Sequence, residues 1–292
     1  MAGLSIEKTA MKTHSFFRLP LARLSRLPER INDVYIKIDL QWRIINALAE
    51  RQLLERTEKG YLGPFGVLIE PLILVSTLLA LRILVKLKTM DFMNPVAWMV
   101  TGVTLFYMFM SVGIKALTGV KKSQDIFYYR RIRPVDTLLA NALVEGRIYA
   151  TTLTLVLLAL SAWTWTFQMD DPGIAALVFI LTLFLALGVG VSALVIGHRI
   201  PLVKLTVRFG IRRLLLWTSG VFYALYTIPS PIRPFFSWNP VFHAVELFRH
   251  SIDNGYPIPD VSLVYLIVCA LVSCGFGLIF YSTNESLLLA DD

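Results

Sequence analysis

Residues 174–197 read IAALVFILTLFLALGVGVSALVIG, an unbroken run with no ionisable side chain. As an α-helix at 1.5 Å per residue it covers about 36 Å, enough to cross roughly 30 Å of hydrocarbon. Asp170-Asp171-Pro172-Gly173 lead into it, and His198-Arg199 close it. Turn residues and charge therefore fall where such a helix meets water. Either a membrane or a large buried core could accept this run, and composition decides between them. The chain has 292 residues, 56% of them hydrophobic and only 16% charged. A soluble domain carries about 25% charged residues. With a mean hydropathy of +0.64, the missing charge reads as lipid-facing surface.

Five further stretches meet the same length and hydropathy test. The expected spans are about 65–85, 96–114, 148–167, 174–197, 211–228 and 262–281, the fifth cut short by Pro229, Pro231 and Pro234. No internal repeat is visible. Orientation follows the Lys and Arg residues. The arm before the first span, Lys115–Arg133 and Arg199–Arg213 hold twenty-two of them, against four (Lys86, Lys88, Arg233 and Arg249) in the alternate segments. Both termini are thus expected in the cytosol, and the net charge of +8 reads as positive-inside bias rather than as a nucleic-acid footprint. Residues 1–37 are basic and broken by Pro20 and Pro28, without the apolar core of a cleavable signal. The sequon Asn284-Glu285-Ser286 falls on the cytosolic side in this topology and is set aside.

Three segments are neither spans nor plain loops. In 38–60, Ile38, Trp42, Ile45, Ala49 and Leu53 share one helical face while Asp39, Arg43, Glu50, Arg51 and Glu55 crowd towards the other. Such a helix either lies in the cytosolic interface or packs on a cytosolic partner domain. In 121–134, Ser123 can cap a short helix and Pro134 suits the first turn of the next. The aromatics and arginines between them fit headgroup anchoring and docking into another protein equally well. In 229–261, Val241, Phe242, Val245, Phe248 and Ile252 form an apolar face, opposite His243, Glu246, His250 and Asp253. That pattern predicts an amphipathic element at the outer surface. A metal held by His243, Glu246 and His250 is the rarer reading, and the wet side of an interfacial helix the commoner one.

The chemistry that is missing matters too. No phosphate-binding G-x-x-x-x-G-K-[ST] loop, H-E-x-x-H or paired D-x-x-x-D occurs. Ionisable residues within the spans are few, with Glu70 and Arg82 flanking the first and Arg147 opening the third. An ion-coupled transporter usually needs such groups at mid-depth, so driving energy is expected from a separate subunit. Trp98, Phe106, Tyr107 and Phe109 on the second span, and Phe222, Tyr223 and Tyr226 on the fifth, could stack on sugar faces or simply pack. Gly188 with Ser192, and Ala193 with Gly197, predict close helix packing in the fourth span. Cys269 and Cys274 point in different directions on one helix and are not expected to pair.

At the same three segments the chain resembles a known family. Residues 48–71, LAERQLLERTEKGYLGPFGVLIEP, are similar to its gate helix and the opening of its first span. Residues 127–145, FYYRRIRPVDTLLANALVE, are similar to its cytosolic segment before the third span. Residues 238–249, WNPVFHAVELFR, followed by Gly255-Tyr256 and Ser262-Leu263, match its outer re-entrant region. The family is the membrane subunit of ABC-2-type capsular polysaccharide exporters, of the KpsM type, and the resemblance covers about residues 40–290. It does not reach the first 35 or so residues.

The resemblance implies an all-α integral membrane protein of the type V exporter fold. Six transmembrane helices would follow a basic extension (1–37) and an amphipathic gate helix (38–60), with outer re-entrant helices between spans five and six and a membrane domain over 61–290. It implies a permease without catalytic or metal residues, not an enzyme, in a Gram-negative inner membrane. The expected partners are a second copy, two copies of an ATPase subunit carrying ATP and Mg, a periplasmic adaptor leading to an outer-membrane exporter, and a glycolipid-terminated polysaccharide. Asp125, Phe127, Tyr128, Arg130 and Arg131 would couple to the ATPase. Arg51, Arg56 and Glu70 would meet a lipid head or sugar acid at the gate. Trp98, Phe106, Tyr107, Phe222, Tyr223 and Tyr226 would line the channel. Arg233, Trp238, Asn239, His243, Glu246 and Arg249 would belong to the outer re-entrant region, with Arg233, Glu246 and Arg249 near the membrane surface. Alternatives are an ABC-2 permease for O-antigen, teichoic acid or another cargo, and, from another class, a lipid-acting membrane enzyme.

Overall fold

The apolar run at 174–197 is a helix, Pro172–Arg199, and the helices Pro95–Lys122, Pro134–Thr164 and Leu263–Ser282 pack on it. In the computed structural model the described residues are 29–58, 72–73, 75–77, 80, 92–122, 133–164, 169–200, 202–203 and 206–285. In chain order the elements are α1 (Glu29–Glu58), α2 (Pro95–Lys122), α3 (Pro134–Thr164), α4 (Pro172–Arg199), a π-helical stretch (Thr206–Ile211) running into α5 (Arg212–Thr218), a 3-10 turn (Leu225–Thr227), α6 (Pro234–Ser237), α7 (Pro240–Ile252) and α8 (Leu263–Ser282). The chain divides into two compact units, residues 1–44 and 45–292, and α1 carries the backbone from one to the other. The described part of the first unit is helix, with an ion pair between Asp39 and Arg43 at 2.8 Å.

Among the described residues four helices are long and apolar enough to cross a membrane: Pro95–Gly113, Pro134–Trp163, Pro172–Arg199 and Leu263–Ser282. They correspond to the second, third, fourth and sixth expected spans. Most of the first, 65–85, lies outside the described residues. The fifth, 211–228, differs from expectation. Its helix stops at Thr218, well before the expected end at 228. The stop has a local cause. Gly220 takes a left-handed φ of +67°, and a Cβ there would come within 2.8 Å of the Phe242 ring. The prolines that follow only continue a break already made.

Two helices begin earlier than the hydropathy pattern places them. Pro134 opens α3 well before position 148, and the Asp136 carboxylate accepts the Arg133 N–H at 2.9 Å, satisfying a helix-start donor. Arg147 therefore lies inside α3 instead of at its start. Likewise α1 begins at Glu29, within the stretch read as a basic extension.

Packing centres on α4. It lies along α8 and α2, α2 lies along α3, and α7 is wedged against α2, α4 and α8. The α4–α8 crossing is a backbone contact: a Cβ on Gly188 would meet the Ser273 carbonyl carbon at 2.3 Å, and one on Gly277 would meet the Gly188 carbonyl oxygen at 2.7 Å. Gly190 sits against Gly113 and Ala116 of α2. The small residues of the fourth span do serve close packing, with Gly188 and Gly190 as the contact points. Ser192 instead bonds back to the Gly188 carbonyl of its own helix at 3.0 Å. Cys269 and Cys274 are both free thiols.

Candidate functional site

Among the described residues the α6–α7 segment and its return to α8 are tied together by many side-chain hydrogen bonds. Asn239 caps α7, its Oδ1 accepting the Val241 N–H at 3.0 Å, with Pro240 in the first turn where no N–H is needed. Its amide nitrogen donates to Ser219 Oγ at 3.0 Å and Thr218 Oγ1 at 3.2 Å, which ties the start of α7 to the end of α5. At the other end the α3–α4 loop takes over. Asp171 N–H donates to the Ser251 carbonyl at 2.9 Å, and Asp170 Oδ2 accepts the Asn254 N–H at 2.8 Å. Both ends of α7 are thus fixed by other elements.

The expected wet face of this helix is wet only at its far end. His243 and Glu246 are 3% and 0% exposed and His250 and Asp253 are half-buried, while Arg249 beside them is 0% exposed, because α2, α4 and α8 pack against α7. The 3.6-residue period sorts side chains into faces but does not say what covers each face. Glu246 and Arg249 therefore lie inside the protein and not on its exposed face. They pair at 2.9 Å, one turn apart. Around them Tyr256 Oη donates to Glu246 Oε1 at 3.2 Å, and Trp98 Nε1 donates to Tyr256 Oη at 3.2 Å. Arg249 donates to the Gly220 carbonyl at 2.9 Å, and its guanidinium lies 3.7 Å from the Trp98 ring centroid. A Cβ on Gly102 would come within 2.5 Å of Arg249 Nη2, so α2 is small where the guanidinium needs room.

His243 is committed in the same way. Its Nδ1 accepts the Ser262 N–H at 3.0 Å and its Nε2 donates to the Ser237 carbonyl at 2.6 Å, which defines a neutral ring. Burial holds its protonation below the ordinary imidazole range. Both ring nitrogens are occupied, which takes His243 out of the metal reading of His243, Glu246 and His250. Among the described residues no group of His, Cys, Asp or Glu is grouped to hold a metal ion. Arg233 donates to the Ile228 carbonyl at 2.9 Å and faces Asp260 at 3.5 Å, while Trp238 is exposed.

Of the aromatics expected on a channel wall, Trp98 and Phe106 are both 0% exposed and belong to the core, a correction to that expectation. Trp98 is the platform for Arg249. Tyr107, Phe222, Tyr223 and Tyr226 remain half-buried. Tyr223 hydroxyl donates to the Trp217 carbonyl, and Tyr226 packs edge-on against Phe92 and Tyr256.

The later part of α1 is fastened to α3. Arg56 donates to Glu145, which is 3% exposed at the side chain, and reaches Asn141 Oδ1 at 3.4 Å. Arg147 donates to Glu50 at 2.9 Å and Asn46 at 3.4 Å, and Ile45 and Ala49 are buried. Arg56 is therefore a structural partner of Glu145. Arg51 stays exposed, paired among the described residues with Glu55 one turn along at 3.0 Å. These roles separate in a double-mutant cycle on thermal unfolding. Arg56 and Glu145 are expected to couple by about 1–3 kcal/mol. Arg51→Ala is expected to cost no more than about 0.5 kcal/mol. Equal costs for Arg51→Ala and Arg56→Ala would contradict the assignment.

Asp125, Phe127, Tyr128, Arg130, Arg131 and Glu70 lie outside the described residues. Sequence reasoning missed Tyr256, Gly102, Gly220 and Glu145. A Glu and an Arg three apart on an otherwise apolar helix were the visible signal for an ionic core, and its partners came from distant segments.

Comparison with known proteins bears on this arrangement. The protein is 29% identical to the polysialic acid transport protein KpsM of Escherichia coli over 84% of this chain and 95% of that protein. It is 24% identical to the capsule polysaccharide export inner-membrane protein BexB of Haemophilus influenzae, over 82% and 90% respectively. It is also 24% identical to the capsule polysaccharide export inner-membrane protein CtrC of Neisseria meningitidis, over 83% and 91%. The family profile of the ABC-2 type transporters matches residues 43–252, from the middle of α1 through the last residue of α7. A helical bundle with membrane-crossing helices, matched over most of its length, places the chain in the ABC-2 type transporter family.

Proposed function

We propose that the chain is the permease subunit of an ATP-driven exporter that moves lipid-linked capsular polysaccharide across the bacterial inner membrane. The observation that carries this reading is similarity to three capsule-export or polysialic acid transport proteins over at least 90% of their own lengths. Such coverage takes in the gate helix, the spans and the buried hairpin together, so it is not a match to hydrophobicity alone. The sequence supplies no nucleotide-binding loop, so the energy is assigned to a separate ABC subunit that carries ATP and Mg. Two permease copies would work with two ATPase copies, both termini in the cytosol. A periplasmic adaptor would pass the polymer on to an outer-membrane exporter.

In this reading α1 guards the path of the lipid-linked polymer end, with exposed Arg51 facing the cargo and Glu70 at the mouth of the first span. Asp125, Phe127, Tyr128, Arg130 and Arg131 dock into the ATPase, where aromatic and arginine anchors would each be worth about 2 kcal/mol or more. Two measurements test it. Disruption of the gene in its own host is expected to leave the surface without capsule and the polymer in the cytosol. The pair Tyr128→Ala/Arg131→Ala is expected to lose the ATPase on purification while the permease still folds. A normal capsule after disruption would point to another ABC-2 cargo, and intact ATPase binding by the double variant would remove the docking role.

A further inference from the structure

The start of α8 is completed by a side chain from another helix. Ser262 caps α8, its Oγ accepting the Tyr265 N–H at 3.3 Å. In a capping box the N–H of the cap residue itself is met by a carboxylate or carboxamide three positions on. That position here is Tyr265, which has no such acceptor, and the Ser262 N–H donates instead to Nδ1 of His243 at 3.0 Å. The other ring nitrogen, Nε2, donates to the Ser237 carbonyl of α6 at 2.6 Å. One neutral imidazole thus joins the last residue of α6, the first turn of α7 and the cap of α8. A second tie runs beside it. Tyr265 Oη donates to the Trp238 carbonyl at 2.6 Å, and the Tyr265 and His243 rings lie 4.6 Å apart, centre to centre.

The junction is open to a proton but not prepared to hold one. His243 is buried, whereas Ser262 and Trp238 beside it are exposed. A proton on Nδ1 would set one N–H against the Ser262 N–H, two donors with no acceptor between them. None of the three long helices packed on α7 (α2, α4 and α8) contains a carboxylate that could steady the imidazolium. Glu246, one turn along α7, is paired with Arg249 at 2.9 Å, and Asp260 faces Arg233 at 3.5 Å. From α8 the facing titratable group is the Tyr265 phenol, whose proton serves the Trp238 carbonyl. The turn into α8 is also strained: Asp260 holds a left-handed φ of +58°, a conformation that a residue with a Cβ keeps only where neighbouring ties fix it.

We propose that His243 is an acid-released latch between the α6–α7 segment and α8: the neutral ring holds the two together, and uptake of one proton at Nδ1 frees the Ser262 end. The latch is a property of the fold and does not depend on the cargo. Burial keeps protonation of the ring below the ordinary imidazole range, so the closed segment binds fewer protons than the opened one. The closed form is therefore fully favoured above the ordinary imidazole pKa of about 6.5 and loses ground as pH falls below it. Once His243 is fully protonated, the opening equilibrium has risen about tenfold for each unit of depression.

The test is hydrogen exchange read by mass spectrometry on the full chain in phosphatidylcholine nanodiscs, at about pH 7.5 and about pH 5.5, corrected for the intrinsic effect of pH on exchange. Protection over 236–243 and 260–266 is expected to fall about tenfold in acid in the native chain. His243→Asn keeps an acceptor near the Nδ1 position without a titrating ring, and is expected to stay protected at both pH values. His243→Gln reaches Ser237 but offers Ser262 no acceptor, and is expected to be open at both. Exchange of the imidazole C2 proton reads the ionisation of His243 in the native chain whether or not the variants fold, and its midpoint is expected below about 6.5. Native protection equal at the two pH values, the same acid loss in His243→Asn, or a His243 midpoint at or above about 6.5 overturns the inference.

Discussion

Replacement of Arg249 by methionine is expected to lower stability by about 3–5 kcal/mol, seen as a fall of about 10 °C in the unfolding temperature of the detergent-solubilised protein. The size follows from what the substitution leaves behind. Glu246 is fully buried, and Arg249 at 2.9 Å is the only cation that faces it among the described residues. Without that cation an uncompensated carboxylate remains in a low-dielectric core, held only by Tyr256 and the neighbouring backbone. The Gly220 carbonyl also loses its donor, and with it the anchor that fixes the end of the fifth-segment helix. The double variant Glu246→Leu/Arg249→Met removes both charges and is expected to regain at least half of the loss, because neither ion then has to be desolvated. A double variant no more stable than Arg249→Met would mean that the shape of the arginine, stacked on Trp98, matters more than its charge. Asn239→Ala makes a useful contrast: it cuts the tie to Thr218 and Ser219 but leaves the ion pair whole, so a loss of about 1 kcal/mol is expected.

How much of this could be read in advance depended on the physical source of each signal. The fourth and sixth spans were legible because their runs are apolar on all sides, and lipid contact imposes no pattern beyond that. The third was legible only in its later half. Its first half carries Asp136, Asn141, Glu145 and Arg147, which depress hydropathy, although Asp136 accepts the Arg133 N–H and the other three pair with α1. Polarity that is paired across elements looks, in one dimension, like polarity that faces water. The same ambiguity misled the reading of α7, where His243 and Glu246 share a face that proved to be interior. For the fifth segment the prolines were a real signal of a break, but its site, Gly220, is set by contacts with Phe242 and Arg249 more than twenty residues away.

The second large effect lies at the α4–α8 crossing and requires no charge. Gly188→Val would place a Cβ 2.3 Å from the Ser273 carbonyl carbon and 2.4 Å from the Cys274 nitrogen. Both are backbone atoms in the middle of a helix and cannot rotate away, so the two helices must separate. Overpacking against movable side chains costs about 1–3 kcal/mol, and a rigid backbone obstacle puts this variant at or above the top of that range. In a membrane the consequence is sharper, because lipid offers no hydrophobic drive to hold separated helices together and association rests on close packing. Even Gly188→Ala is expected to reduce folded yield, with valine abolishing it. Gly277→Ala, 2.7 Å from the Gly188 oxygen, is expected to fall between these and the native protein. Gly275 supplies the control on the same helix. A Cβ there meets nothing within 4 Å, and Gly275→Ala is expected to be neutral or to gain up to about 1 kcal/mol from helix propensity. Folded yield by fluorescence-detected size exclusion would rank the four variants. If Gly188→Val ran level with Gly275→Ala, the two helices could not meet backbone to backbone, and the central position of α4 would have to be abandoned with that contact.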